Sequence, residues 1–336
     1  MHTPLPLVFL LSLALLASCS RRPQPAGLQT SPAATGQLTI AVIPKSTGAE
    51  FWETVEEGAR QAADELDVEI HWEGPIAETE IAEQNKIIEN MVNLQVDGIA
   101  LAPLNPKAMR KPVETAVSAG IPVVIFDSAI DGDAHTSFVA TDNRQGGVLG
   151  AEKLLELLGE ADGKKVMLMR FIQGTASTEA RAQGFLETAK AAGLQVAADP
   201  FSEDATVAGC KKTAANTLEG FVRDGQLELD GIFACNDRAS LGMLAALEDL
   251  RKSNVKVATK FVGFDFTPRL VEALEHGGID ALVVQNPRKM GYLAVKTLAL
   301  HLRGEPAEAR IDTGVEVVTR QRLESDEAIR QLVGAK

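Results

Sequence analysis

Short runs of β-branched and apolar residues alternate with longer segments of helical periodicity along nearly all of the chain after its first 37 residues. Leu38–Pro44 (LTIAVIP) is such a run, and its closing proline predicts the end of a buried strand. In the segment that follows, Phe51, Val55, Ala59 and Leu66 recur at helical spacing. Strands that are apolar on both faces belong to parallel sheets covered by helices. The alternation therefore predicts an α/β fold.

The alternation runs through the chain twice. The first series predicts four strands, at Leu38–Pro44, Val68–Trp72, Asp97–Ala102 and Ile121–Phe126. It restarts after Asn143, where a second series of predicted strands comprises Lys165–Arg170, Leu194–Ala198, Gly231–Ala234, Lys260–Gly263, Asp280–Val284 and Val315–Thr319. A chain of 336 residues is long enough for two domains of about 150 residues each. We therefore predict two doubly wound parallel-sheet lobes.

The first 37 residues are predicted to lie outside this fold. Leu5 to Ala17 are nearly all apolar, which fits a secretory signal but is too short for a membrane-spanning helix of about 20 residues. Leu16-Ala17-Ser18-Cys19 resembles the lipobox of bacterial lipoproteins, which implies cleavage before Cys19 and lipid on that residue. We predict a signal peptide over 1–18 and a lipidated cysteine with a flexible tether over 19–37. A plain secretory signal with a chance cysteine is the alternative, because Met1–Pro6 contain no Lys or Arg.

Charge and composition exclude several classes of protein. The net charge of −13 repels phosphate backbones and argues against a nucleic-acid binder. Three cysteines are too few for a disulfide scaffold, and we expect Cys210 and Cys235 to be buried free thiols. The five histidines lack the spacing of metal ligands, and Gly146-Gly147 does not form a dinucleotide-binding motif. We expect neither a cofactor nor a metal site.

Polar residues follow almost every predicted strand. Open α/β sheets bind ligands beyond the carboxyl ends of their strands. The residues at these ends are Lys45, Ser46, Asp127, Ser128, Asn236, Asp237, Asp265 and Gln285. Each could be an ordinary loop residue, but together they predict a ligand site.

Seven short motifs occur in the order and spacing of a known family. They are Phe51-Trp52, Phe126-Asp127, Ala140-Thr141-Asp142-Asn143, Arg181–Phe185, Phe233–Asp237, Val262–Asp265 and Gln285-Asn286-Pro287. This pattern, which covers about residues 38–325, resembles the type I periplasmic sugar-binding proteins, the ribose-binding-like relatives of the lac repressor ligand domain. The resemblance implies two lobes joined by a three-strand hinge, with the ligand bound in the cleft by hinge closure. The lobes would be 38–141 plus 286–313, and 142–285 plus 314–336.

The resemblance also implies roles for individual residues. Phe51 and Trp52 would be flat walls against the apolar faces of a sugar ring, although both could instead lie in the helix core, for which Phe51 fits the apolar stripe better. Asp127 and Asp265 would accept hydrogen bonds from hydroxyls, and Arg181 would donate. Asn236 would do both, and Gln285 would reach the ligand from a crossover.

Three positions depart from the ribose-binding pattern. Ala49 stands where that pattern has a ligand-binding Asn, and Ser128 stands where it has an Arg beside the Asp. An aromatic residue is also missing, with Glu203 or Asp204 near its place. Lys45 is an added cation, and it would balance the cleft carboxylates together with Arg181. A near-neutral pocket favours a neutral sugar or polyol, with D-ribose itself in doubt.

These features predict the lipid-anchored substrate-binding protein of a bacterial ABC sugar importer, in the periplasm or at the cell surface. We expect a monomer that performs no chemistry and delivers a small sugar or polyol to ABC permease subunits. The first alternative is a sensor that engages a chemoreceptor or receptor kinase. A carbohydrate-active enzyme with Asp127 and Asp265 as its carboxylates is a second. A cytoplasmic repressor is a third, opposed by the signal and by the lack of a DNA-binding segment.

Overall fold

A computed structural model describes residues 1, 2 and 37–335. The predicted signal peptide, Cys19 and the tether up to residue 36 lie outside these residues. In the part of the chain that the structure describes, no helix has the length and apolar character needed to cross a membrane.

The first sheet contains six parallel strands. In chain order they are β1 (Leu38–Ile43), β2 (Val68–Trp72), β3 (Gly98–Leu101), β4 (Val123–Phe126), β5 (Ser137–Ala140) and β13 (Arg310–Asp312). They lie side by side in the order β13-β5-β4-β3-β1-β2. The helices that connect the first four strands are α1 (Glu50–Leu66), α2 (Ile81–Asn93) and α3 (Arg110–Ser118). Ile40 and Val42 of β1 face one apolar core, and Ala41 and Ile43 face another, so helices cover both faces.

The second sheet repeats this strand order. Its strands are β6 (Lys165–Met169), β7 (Gln195–Ala198), β10 (Gly231–Ala234), β11 (Lys260–Phe264), β12 (Ala281–Gln285) and β14 (Val315–Thr319), arranged β14-β12-β11-β10-β6-β7. Its helices are α4 (Asn143–Leu158), α5 (Ala176–Ala191), α6 (Val207–Glu219), α7 (Asp237–Lys252) and α8 (Pro268–Glu275). A small hairpin of β8 (Val222–Arg223) and β9 (Gln226–Leu227) lies beside it.

Strand β14 corrects the expectation of a wholly parallel sheet, because it is antiparallel to β12. Gln285 at the end of β12 pairs with Val315 at the start of β14. Both therefore lie at the edge of the second sheet where the chain passes to and from the first. A strand that enters at the point where its neighbour leaves must run in the opposite direction.

The chain passes between the sheets three times, after β5, after β12 and after β13. After β5 it continues into α4, whose Ala151 and Leu154 pack in the core of the second sheet. After β12 it continues into α9 (Pro287–Leu302), which packs in a core of the first sheet. Two short helices, α10 (Arg320–Ser325) and α11 (Glu327–Val333), follow β14. The predicted fold class, with two doubly wound lobes and a three-strand hinge, is confirmed.

Glycines allow the helices α4 and α5 to touch along their backbones. A Cβ added to Gly147 would lie 1.9 Å from the Arg181 carbonyl oxygen, and one added to Gly184 would lie 2.1 Å from that of Arg144. No side chain fits at such distances, so this contact requires glycine at both positions. Gly147 thus serves close helix packing, and it fixes the position of the α5 turn that carries Arg181.

Candidate functional site

A small cavity of about 30 Å³ lies between the two lobes, at the carboxyl ends of the parallel strands. Eight of the nine ligand-binding residues predicted from the sequence line it, namely Lys45, Phe51, Trp52, Asp127, Arg181, Asn236, Asp265 and Gln285. The ninth, Ser128, lies behind Lys45 and accepts a hydrogen bond from its ammonium at 2.6 Å.

Asp127 enters the cleft from the first lobe, directly after β4. Its backbone has a positive φ of 62°, and its N–H donates to the Val139 carbonyl at 3.1 Å. The carboxylate Oδ2 lies 2.5 Å from Lys45 Nζ, and both side chains are almost fully buried. A buried carboxylate is costly unless a cation accompanies it. Lys45 supplies that charge where the ribose-binding pattern has an Arg at the position of Ser128.

Asp265 enters from the second lobe, directly after β11. The Gln285 amide donates to its Oδ1 at 2.8 Å, and Arg181 Nη1 lies 3.8 Å from its Oδ2. Burial raises the pKa of Asp265 above its ordinary value, and the Arg181 guanidinium opposes this shift. The carbonyl-side oxygen of Gln285, Oε1, is buried without a hydrogen-bond partner among the described residues. It is therefore free to accept a hydrogen bond from a ligand hydroxyl.

Arg181 is held from three sides and is 2% exposed. Its guanidinium stacks on the Phe264 ring at 3.9 Å, and its Nη1 donates to the Cys235 carbonyl at 3.1 Å. Its Nε donates to Asn143 Oδ1 at 2.8 Å. The planar guanidinium of Arg181 is thereby fixed in orientation before any ligand binds.

Asn236 and Asp237 form the start of α7 at the cleft. Asn236 caps the helix, because its Oδ1 accepts from the Ala239 N–H at 3.0 Å. The oxygen thus has one lone pair left, and the amide nitrogen is the donor that this side chain offers to a ligand. The Asp237 N–H donates to Asp265 Oδ2 at 3.2 Å. Burial, and next the charge of Asp265, raise the pKa of Asp237 to about 7.

The two aromatic residues divide their roles. Trp52 is 3% exposed and packs with Val55 and Ala59 in the core between α1 and the sheet. Phe51 is only half-buried, which reverses the expectation that it fits the apolar stripe better. The two rings meet edge to face with centroids 4.9 Å apart, and both line the cavity. Phe51 is thus the more accessible wall, with Trp52 supporting it.

Sequence reasoning missed several residues of the cleft. Glu78 lines the cavity, and its Oε1 accepts from Trp52 Nε1 at 3.1 Å. Thr175, Ser177 and Thr178, at the start of α5, also line it. They follow no strand directly, so the strand-end signal did not include them. Glu203 and Asp204 are not among the lining residues.

The cleft contains two ion pairs and two further acidic side chains. Lys45 pairs with Asp127, and Arg181 lies beside Asp265. Glu78 and Asp237 are the additional carboxyl groups. Because burial raises the pKa of Asp237 to about 7, this group is mostly protonated at acidic pH.

The two thiols in the described residues are buried and unpaired. Burial raises the pKa of Cys210 to about 11 and that of Cys235 to about 12. Both therefore stay as neutral thiols at physiological pH, and neither is a nucleophile. Cys235 takes part in the site only through its carbonyl, which accepts from Arg181.

Residues 40–306 match the family described as periplasmic binding protein domain. The chain belongs to this family. It is 30% identical over 300 residues to the ribose import binding protein RbsB of Haemophilus influenzae, with 87% of this chain and 95% of that protein covered. The resemblance to the type I periplasmic sugar-binding proteins is thereby confirmed.

Solved structures of sugar complexes are also similar to this chain. A carbohydrate transporter solute-binding protein from Agrobacterium radiobacter, in complex with D-arabinose, superposes with a TM-score of 0.82 at 32% identity. The match covers 89% of this chain and all of that one. An ABC transporter solute-binding protein from Agrobacterium vitis with bound D-fucose gives a TM-score of 0.80 at 35% identity, covering 87% of this chain and 98% of that one.

Proposed function

We propose that this protein is the sugar-binding component of an ABC importer and that it captures a neutral sugar or polyol in the cleft between its lobes. One observation carries the proposal. Asp127 and Asp265 enter the same cavity from opposite lobes, and each lies beside a buried cation. Carboxylates held in this way accept hydrogen bonds from pairs of hydroxyls, the groups that every sugar presents.

The predicted ligand-binding residues divide into three kinds of contact. Phe51, backed by Trp52, forms a flat apolar wall for the C–H face of a sugar ring. Asp127, Asp265 and the free oxygen of Gln285 accept hydrogen bonds, while Arg181 and the Asn236 amide donate them. Lys45 pairs with Asp127 and is itself held by Ser128. Relatives that bind ribose, D-arabinose and D-fucose support a monosaccharide-sized ligand.

Binding uses both lobes, and this couples capture to closure. A ligand can shift the open–closed equilibrium only through contacts that differ between the two conformations. A sugar held by Asp127 of one lobe and by Arg181 and Asp265 of the other makes its full set of contacts only when the lobes are together. The closed, loaded protein is the form that the permease subunits would recognise.

We expect the protein to work as a binding module without chemistry in the periplasm, and the D-allose-binding periplasmic protein of Escherichia coli, 31% identical over 281 residues, supports this location. Lipid on Cys19 would hold the protein at a bacterial membrane, since several acyl chains give stable anchoring. Labelled fatty acid should be incorporated by the wild-type chain and not by Cys19→Ser; labelling of both variants would exclude this anchor.

Uptake and binding should be measured together. The purified protein is titrated with a panel of pentoses, hexoses, deoxysugars and polyols, and uptake of the best ligand is followed in cells with and without the gene. Micromolar or tighter binding, with uptake lost in the deletion strain, supports the importer. Binding without any loss of uptake would instead support a sensor that engages a chemoreceptor or receptor kinase. Absence of binding to every sugar would contradict the proposal.

A further inference from the structure

The ammonium of Lys45 has three partners, and one of them belongs to the other lobe. Nζ lies 2.5 Å from Asp127 Oδ2, donates to Ser128 Oγ at 2.6 Å and donates to Ser177 Oγ at 3.1 Å. Two of the three N–H protons of this ammonium are used by Ser128 and Ser177, and the Asp127 carboxylate is its ion-pair partner. Although Lys45 lines the cavity, its ammonium is thus held by groups of the protein on both sides of the cleft.

Ser177 is bonded twice to the first lobe. Its Oγ accepts from Lys45, and its backbone N–H donates to Ser128 Oγ at 3.1 Å. Ser177 is the second residue of α5, which packs on the second sheet, whereas Lys45 and Ser128 follow strands of the first sheet. Separation of the lobes must break both of these bonds. The bonds of Lys45 to Asp127 and Ser128 lie within the first lobe and can persist.

The three residues are shielded from water in this conformation. Lys45, Ser128 and Ser177 are 2%, 0% and 4% exposed. Hydrogen bonds that involve a charged group are stronger than neutral ones, and a local environment with little water strengthens them further. These bonds are made between protein groups alone, so they favour closure whether or not the cavity holds a ligand.

We propose that Lys45, Ser128 and Ser177 form a clasp that stabilises the closed conformation of the ligand-free protein. Lys45 then acts as a positioning residue, which holds Asp127 and joins the lobes. The role of Lys45 in affinity rests on the proposed sugar-binding function, whereas the clasp itself does not. The apparent affinity of a ligand is reduced when only a small fraction of the protein is in the conformation that binds it. Because the clasp increases the fraction of closed protein, it raises the apparent affinity for any ligand of the cleft.

Small-angle X-ray scattering of the ligand-free protein tests the clasp directly. Ser177→Ala removes one of the interlobe bonds and should increase the radius of gyration relative to wild type. Thr178→Val is the matched control, because the Thr178 hydroxyl lines the same cavity but donates to Thr175 of its own lobe. It should scatter as wild type does. Identical scattering of wild type and Ser177→Ala would overturn the proposal, whatever ligand the protein binds.

A double-mutant cycle then tests the part played by Lys45 in affinity. Lys45→Met and Ser177→Ala should each weaken binding of the best sugar from the panel by about tenfold, mainly through faster dissociation. Because they break the same bond, the double variant should bind about as well as Lys45→Met alone. Losses that multiply in the double variant would show that Lys45 acts on the ligand directly. A wild-type protein that binds no sugar would contradict the proposed function and leave the scattering result to decide the clasp.

Discussion

Asp127 and Asp265 occupy equivalent positions in the two lobes. Each follows a phenylalanine at the carboxyl end of a strand, Phe126 of β4 or Phe264 of β11. Each has a positive φ, 62° and 65°, and donates its N–H to the neighbouring strand, to the Val139 carbonyl and the Val283 carbonyl. Such a backbone is uncommon outside glycine but is tolerated by aspartate. The same local turn thus delivers one carboxylate from each lobe into the cleft.

Replacing either carboxylate by its amide should weaken sugar binding and leave the fold intact. Asp127→Asn and Asp265→Asn each remove charged acceptors whose hydrogen bonds contribute about 1.5–3 kcal/mol, so we expect a loss of about tenfold to a hundredfold in affinity. Titration calorimetry measures the loss. Asp133→Asn, which changes an exposed aspartate of the first lobe, is the control and should bind as wild type. Unchanged affinity in both cleft variants would refute the assignment of these acceptors.

Asn143 should matter for binding although it does not line the cavity. Its amide donates to the Asp127 carbonyl at 3.1 Å, and its Oδ1 accepts from Arg181 at 2.8 Å, so one side chain orients groups of both lobes. Asn143→Ala should weaken binding by about tenfold, because it removes the hydrogen bond that orients the Arg181 guanidinium and the hydrogen bond to the Asp127 carbonyl of the other lobe. Gln145→Ala changes an exposed residue of the same helix and should have no effect. Equal affinities of the two variants would show that Arg181 does not need this support.

Asp237 should make the stability of the ligand-free protein depend on pH. Its pKa in the folded protein is raised to about 7, mainly by burial, against about 3.9 in an unfolded chain. Between these values the folded state binds more protons than the unfolded state, so stability falls as pH rises through this window and levels off above it. Asp265, whose pKa is also raised, contributes with the same sign.

Asp237→Asn removes this loss of stability. Thermal melts from pH 5 to pH 8 should therefore show a higher melting temperature for the variant than for wild type at pH 8, with a smaller difference at pH 5. Arg238 and Glu78 are the other charged groups that act on Asp237, and the substitution leaves them in place. Parallel pH profiles for the two proteins would contradict the raised pKa.

The strands and helices of the fold were predictable where the periodic pattern of apolar residues extends over several residues. In each βα unit a run of apolar residues marks the strand, and apolar residues at helical spacing mark the helix. All of the strands expected from such runs are present. Strand β13 was not predictable, because Arg310 and Asp312 are exposed and its three residues contain one apolar side chain. The antiparallel direction of β14 could not be predicted from the sequence either, because the direction of a strand depends on where the chain enters the sheet and not on residue type.

The site was predictable where residues follow strands. Parallel strands end at one edge, so Lys45, Asp127, Asn236 and Asp265 could be assigned to a common cleft from the sequence. Glu78 and Ser177 lie in or after loops, and only tertiary packing brings them to the same cavity. The pairing of Lys45 with Ser177 depends on the relative position of the lobes, which no local pattern encodes.

Trp52 should report ligand binding by fluorescence. Its indole lines the cavity and donates to Glu78 at 3.1 Å, so a sugar at Phe51 changes its surroundings. The other tryptophan, Trp72, lies in β2 and is removed by Trp72→Phe to isolate the signal. We expect a saturable change in emission upon titration with the sugar. No change, under conditions where calorimetry detects binding, would place the ligand away from the aromatic wall.

A thermal-shift screen of wild type and Asp265→Asn against sugars, polyols, furanones and amino acids tests the central claim most directly. A ligand at 100 times its Kd adds about 2.7 kcal/mol of stability, which raises the melting temperature by several degrees. Our account predicts such a shift for wild type with a neutral sugar or polyol, and a much smaller shift for Asp265→Asn at the same concentration. A shift with amino acids or furanones alone, or an equal shift in both proteins, would contradict a sugar site between the lobes.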